Sequence, residues 1–495
     1  MDTMREHLRS LIPSTPGALG SLEVISGSVL TFVLIALILV TSPKVVLAGI
    51  LAIVGGLYFF ARPAVSLVAV FMGRVLVDLL WWIPGSFGGL NVLEAFGGGV
   101  AALAAVLFYL ELRRVERQPG FLPLLIYLGV MAIAVVRSGE VRDAAEILAK
   151  YVSPLLLMFL VSTLMDDDKR RRQFVTMVTA AGLVSLSVSV YHLATGQRFQ
   201  FFRQGYYRLH GGYGNLHNHA LFLLFLNALL FFWFMTSERR WQKVLSAGLM
   251  AVGMVCLYFT FVRTALTGVA AFVVIYLVLE KRWGLLGLAG LAGVLFLLSS
   301  ETLQDRFSDI IAVFGEGDEA SKRTLGSGRF GIWTMSVREY LHKSPLDILL
   351  GLGLGGHYEV TDAYADLYRS TKKSENLDSH NDYLTLLFQL GPIAVACYVW
   401  LQVIVIQHGL ELHRWAKDHW DASFGRYMVA MCVVVFVTNA LSNSFVQRVT
   451  VAWLFWGMVG VLFALHRKWS LIRAAEERER AAAEEATRAL GRALG

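Results

Sequence analysis

The chain has 495 residues, of which 56% are hydrophobic and 16% charged, with a net charge of +7. A soluble domain carries roughly 25% charged residues, so a mean hydropathy of +0.58 excludes an ordinary soluble enzyme and points to a chain solvated by lipid. The basic balance is accounted for by Lys and Arg in the turns between apolar runs, as the positive-inside rule requires. It therefore gives no reason to expect nucleic acid.

Residues 1–22 are too polar for a signal peptide and read as a cytoplasmic lead-in. Apolar runs follow near 24–41, 45–61, 64–83, 91–112, 121–136, 147–165, 174–194, 218–236, 243–261, 264–280 and 283–299. Three more lie near 383–407, 427–441 and 449–465. Runs of this length match the hydrocarbon core of a bilayer, and continuous runs mean helices. The expected fold is thus an all-α polytopic membrane protein of about fourteen transmembrane helices. Its expected segments are 1–22, helices 1–11 over 23–299, a large periplasmic loop over 300–382, helices 12–14 over 383–465, and a cytoplasmic C-terminal helix over 466–495.

Orientation comes from the turns. Arg113, Arg114 and Arg117 flank one; Lys169 to Arg172 another; Arg239, Arg240 and Lys243 a third. Lys281 with Arg282, Arg414 with Lys417, and Arg467 with Lys468 complete the set. Alternate threading puts them all on the side of the N-terminus, the cytoplasm. Both termini are then cytoplasmic, and 300–382 is external.

Other arginines fall on the external side, where positive charge is disfavoured. Arg203 and Arg208 lie in one connection between spans, Arg263 at a helix junction, and Arg329 in the large loop. An arginine at a helix centre costs about 2.5–3.5 kcal/mol on insertion, and less at its ends. A converging set suits phosphate, because each guanidinium fork pairs two oxygens. For a single arginine, interfacial snorkelling is the simpler account; the set on one face favours an anion site.

Arg74 and Asp78, four apart in one span, read as a structural pair. Asp166 to Asp168 stand beside basic residues and read as a solvated charge run. Gly351, Gly353 and Gly356 fit G-x-G-x-x-G without the strand context of a dinucleotide site, and read as a tight turn. Cys256, Cys397 and Cys432 lie in apolar runs and read as buried hydrophobes. His210, His217, His219 and His357 match no zinc spacing. His380 stands where the long loop re-enters the apolar phase and is the candidate reaction centre.

Several of these stretches together resemble the superfamily of bacterial O-antigen ligases and polysaccharide polymerases. They are Ser327-Gly328-Arg329 with Trp333, Pro345, Gly351-Leu352-Gly353, and His380-Asn381-Asp382-Tyr383-Leu384 with Leu387 and Gly391. Arg208 to Asn215, and Arg263 before Thr264, add to the likeness. The resemblance covers about 190–465. It implies a GT-C-like, metal-independent glycosyltransferase of the bacterial inner membrane, with no cofactor, acting at the periplasmic face.

The implied donor is an undecaprenyl-diphosphate-linked glycan. The implied acceptor is a second lipid-linked glycan in polymerisation, or lipid A-core in O-antigen ligation for lipopolysaccharide. His380 aligns with the superfamily's essential histidine and serves as general base. Arg208, Arg263 and Arg329 align with diphosphate-binding arginines, and Arg203 more weakly. Asn215, Asn381 and Asp382 are acceptor-side or supporting candidates. A polysaccharide flippase or other transporter is the competing reading, to be recognised by internal repeats or helices broken near mid-membrane.

Overall fold

The computed structural model describes residues 55–80, 92–197, 199–202, 206–298, 329–361, 379–441 and 445–494. Residues Met1–Ala61 and Arg62–Gly495 are separate compact units. Of the first, residues 55–61 are described and are helical. The expected span 24–41 lies outside the described residues, as does most of 45–61.

The second unit is an α-helical bundle. Its helices are α1 (Pro63–Val77), α2 (Val92–Leu110), the short α3 (Leu112–Val115), α4 (Phe121–Arg137), α5 (Val141–Leu164) and α6 (Asp168–Thr195). After a two-stranded hairpin come α7 (Leu216–Thr236), α8 (Arg240–Thr260), α9 (Arg263–Leu279) and α10 (Trp283–Leu298). Then follow α11 (Arg329–Leu341), α12 (Pro345–Leu350), α13 (Asp382–Trp415), α14 (His419–Leu441) and α15 (Val449–Leu494). Among the described residues, nine helices are long and apolar enough to cross a membrane, with three shorter apolar helices beside them. Together these twelve fall on the apolar runs read from 64–83 onward.

Helices apolar all round must be buried or face lipid. The core is built on three helices, α7 and α14, each with 78% of its apolar window inside the bundle, and α15, with 89%. The window of α2 is only 17% buried and presents its apolar surface outward. Between α13 and α14 the packing partners are glycines: a side chain on Gly425 would strike the Gly409 carbonyl. Small residues at such a crossing let the helix backbones approach.

The six basic turns meet at one end of the bundle. Arg172 pairs with Asp418 at 3.1 Å and Lys468 with both Asp168 and Asp421 at 2.9 Å. Arg467 donates to the Ser162 carbonyl, Ser162 donates to Gln118, and His419 contacts the Met235 carbonyl. Arg426 lies 3.8 Å from Glu280, beside Arg282. Asp166 and Asp167 are paired with Arg170, and Asp168 with Arg171, so the acidic run is an ion-paired surface. Asp347, Gly351, Ser379 and the hairpin lie at the opposite end.

The stretch between α10 and α13 carries structure of its own. Besides α11 and α12, residues 357–361 are helical. Tyr340 and Val360 pack with Phe388 into a small apolar core, and the Tyr340 hydroxyl sits against the carbonyls of Ile348 and Leu387. The Leu352 and Gly353 amides donate to the Phe388 and Gln389 carbonyls at 2.8 and 3.1 Å. Those carbonyls are available because α13 is broken at Gly391 (φ 78°), just before Pro392. Proline removes an amide and clashes with the preceding turn, and the glycine turn from the loop fills the gap. The broken helix therefore has a structural partner, and it lies near one end of α13.

Candidate active site

The anchor of the site is the segment before α13. Trp333 on α11 donates its indole N–H to the Ser379 carbonyl at 2.7 Å. The Ser379 hydroxyl meets Thr385 at 2.7 Å and receives the Asn381 amide. Asn381 caps α13 by accepting from the Leu384 amide, and donates its Nδ2 to the Ala440 carbonyl on α14. Between these two anchored neighbours His380 adopts φ 51°. Left-handed backbone is uncommon for a residue with a side chain and costs on the order of 1–3 kcal/mol; such strain clusters at functional sites.

Asp382 is fully buried and accepts the Val446 amide at 3.0 Å. That bond fixes the turn between α14 and α15, and with it Arg448 two residues on. Arg208, on strand β2 (Tyr206–Leu209) of the hairpin, is 8% exposed. From the second strand of the hairpin it donates Nε to the Thr260 carbonyl at 2.9 Å. The hairpin is thereby tied to the α8–α9 junction, where Phe261 is also left-handed (φ 52°) and Arg263 opens α9. Asn215 caps α7 by accepting the amides of His217 and Asn218.

These elements converge on one place. Arg448, Arg208, Arg329 and His380 all lie close enough to His217 for their charges to act on its ring. The Nδ1 of His217 is buried and has no protein hydrogen-bond partner. Loop, hairpin and helix ends remote in sequence thus supply three guanidinium groups and two imidazoles to one region. Arg203 lies outside the described residues.

Beside the cluster is a cavity of about 550 Å³ walled by α1, α2, α5, the start of α7 and the start of α15. Arg448 and Asn215 belong to its wall, so it adjoins the arginine cluster. Elsewhere the lining carries both signs: the ion pairs Arg74–Asp78 and Lys150–Glu146, and in addition Glu94 and Arg142. The Arg74–Asp78 pair is closed by Thr450 of α15, which accepts from Arg74 Nε at 3.0 Å and donates to Asp78. Asn218 also lines the cavity, and its Oδ1 has no protein partner.

A model of the O-antigen ligase family matches residues 248–399. The O-antigen ligase and polysaccharide polymerase superfamily is supported. The matched stretch contains Arg263, Arg329, Trp333 and His380 and leaves Arg208, His217 and Arg448 outside it. No curated protein matches the chain. With the apolar helices, the family match supports a multi-pass membrane protein of the O-antigen ligase or polymerase kind. In general terms the family it resembles is one of glycosyl-transfer enzymes acting on lipid-linked glycans.

Two residues of the cluster escape a reading of single motifs. Arg448 stands immediately before the last apolar run, on the external side by the same threading that singles out Arg263, and that signal was sufficient to find it. His217 was legible as one of several external histidines, and nothing in its spacing distinguished it from His219. In the fold His219 is completely buried against Ser189 and Tyr213, whereas His217 lies within electrostatic reach of the cations. His357 is likewise structural in position, with the Gln389 amide on its Nδ1.

Proposed function

We propose that the chain transfers a glycan from an undecaprenyl-diphosphate carrier to an acceptor hydroxyl at the external membrane face. The acceptor is a second lipid-linked repeat unit or lipid A-core. The observation carrying this reading is that Arg208, Arg329, Arg448 and His380 all lie within electrostatic reach of His217. Guanidinium groups at one point stabilise a diphosphate whose charge grows as the anomeric carbon–oxygen bond breaks. Arg263, at the junction that Arg208 contacts, belongs to the same binding set, with Arg203 as a further candidate from its place in the sequence.

His380 takes the proton of the attacking hydroxyl. Neutral imidazole has an unperturbed pKa near 6.5 and suits this role, which contributes roughly 10²–10⁴-fold. The acceptor oxygen bonds to the anomeric carbon, the bond to the diphosphate breaks with its electron pair, and in-line attack inverts the centre. Asn381 and Asp382 position the base and Arg448. The mixed-charge cavity, rich in paired donors and acceptors, suits the uncharged hydroxyls of the acceptor sugar, with Asn215 at its edge and Asn218 facing it. No nucleotide or metal takes part in this scheme.

The test is glycan transfer by purified, monodisperse His380→Gln, with donor binding measured in parallel. Gln keeps hydrogen-bonding capacity and cannot take up a proton at neutral pH. Transfer should fall by about 10²–10⁴-fold while donor binding persists. Near-normal turnover would remove His380 from the reaction.

A further inference from the structure

The geometry points to a divalent transition-metal site, best suited to Zn²⁺, formed by His408 and Glu411 of α13 with His466 of α15. It lies near the end of the bundle that carries the basic turns, remote in the fold from His380. One ligand atom from each residue falls within 4.8 Å of the others. The imidazole rings of His408 and His466 are 4.1 Å apart between centroids, and His466 Nε2 is 2.7 Å from Glu411 Oε2.

His408 and Glu411 have the i,i+3 spacing that projects two side chains from one helical face, and α15 brings His466 onto that face. Two imidazoles and a carboxylate form a donor set that zinc accepts, with a fourth position left for water.

The surroundings support ligation as well as proximity. His408 Nδ1 donates to the Ile404 carbonyl at 2.8 Å, which leaves the Nε2 lone pair for an ion. A backbone acceptor behind the ligating ring is the common way to fix a metal-binding tautomer. His466 needs one rearrangement: the Nε2 proton now shared with Glu411 moves to Nδ1, where the Ser470 oxygen stands 3.5 Å away. The Ser470 proton is already given to the His466 carbonyl at 2.9 Å, so that oxygen is oriented to accept. Tetrahedral ligands to zinc sit about 3.3 Å apart, and Glu411, 41% exposed, has the freedom to close the remaining gap. An ion here would pin α13 to α15, the two helices whose other ends carry His380 and Arg448.

The experiment uses full-length protein in detergent, purified without a histidine tag, titrated with Zn²⁺ by calorimetry and with Co²⁺ by visible absorption. One ion per chain is expected, with the Co²⁺ bands of a tetrahedral nitrogen–oxygen site. His408→Gln and His466→Gln should each weaken binding by at least about tenfold, and Glu411→Gln should weaken it with the fold undisturbed. His342→Gln, a histidine elsewhere on the chain, should bind as wild type. Absence of saturable Zn²⁺ binding at micromolar concentration would overturn the site, as would affinity unchanged by Glu411→Gln and either histidine variant. Neither result bears on glycan transfer, so this inference and the proposed activity fail independently.

Discussion

At the scale of single residues, the arginines separate by how each is held. Arg208 is buried and donates Nε to the Thr260 carbonyl, which ties its guanidinium to the α8–α9 junction. Arg448 is set by the bond from the Val446 amide to Asp382. Each charged contact to a diphosphate is worth roughly 1.5–3 kcal/mol, so Arg208→Ala, Arg263→Ala, Arg329→Ala and Arg448→Ala should each lower donor use by about ten- to a hundredfold. Lys should restore only part, because it offers a point charge in place of a fork. Turnover at limiting donor concentration checks this, and wild-type turnover in all four alanine variants would dissolve the clamp. Asp382→Asn is the companion case. It keeps an acceptor for the Val446 amide, so its folded yield should stay near wild type, whereas Asp382→Ala should lose both folded yield and donor use.

At the scale of elements, the large loop is organised by its docking on the break in α13. A side chain at Gly351 would meet the Gln389 and Leu390 backbone, and one at Gly391 the Leu349 carbonyl. Both glycines have positive φ, where a Cβ costs roughly 1–2 kcal/mol before any clash is counted. Gly351→Ala and Gly391→Ala should therefore lower thermal stability and detach the loop, measured by faster proteolysis within 329–361. A second clasp is electrostatic. Arg137 of α4 donates to the Gly351 carbonyl at 3.1 Å and pairs with Asp347, while the Leu354 amide donates to Ser138.

The Asp347 carboxyl is held below its ordinary value by the Ser344 hydroxyl and by Arg137. A depressed folded value means that the clasp stabilises above the unfolded pKa, near 3.8, and that its contribution is lost as pH falls through the folded one. Asp347→Asn should accordingly be less stable than wild type at neutral pH and converge with it in strong acid. A constant difference in melting temperature down to that range would remove the clasp.

For the whole molecule, the distribution of basic turns is the main topological fact. All six come together at one end through ion pairs and backbone contacts, and the arginine and histidine cluster is built from the connections at the other. If the positive-inside rule holds, a reporter fused after Arg240 should read as cytoplasmic and one fused near Asp318 as periplasmic. The reverse pattern would place the proposed chemistry on the wrong side for a lipid-diphosphate donor. The break in α13 is closed by the loop's own backbone.

The sequence by itself determined the helical, membrane-embedded class and the positions of twelve described helices. Hydrocarbon admits no unsatisfied backbone, so length and apolarity suffice to locate a span. Arg208, Arg263 and Arg329 stood out in the sequence as charges on the side where the positive-inside rule disfavours them, and His380 by its place where the long loop re-enters the apolar phase. The tight turn at Gly351 to Gly356 and the Arg74–Asp78 pair were legible for equally local reasons. Only the tertiary structure decided which of these meet. His217 and Arg448 join the cluster because Asp382 reaches across to the α14–α15 turn and Asn215 ends one connection by capping α7. Glu411 and His466 face each other because α13 and α15 lie side by side. Such encounters depend on long-range packing, and spacing along the chain carries no record of them.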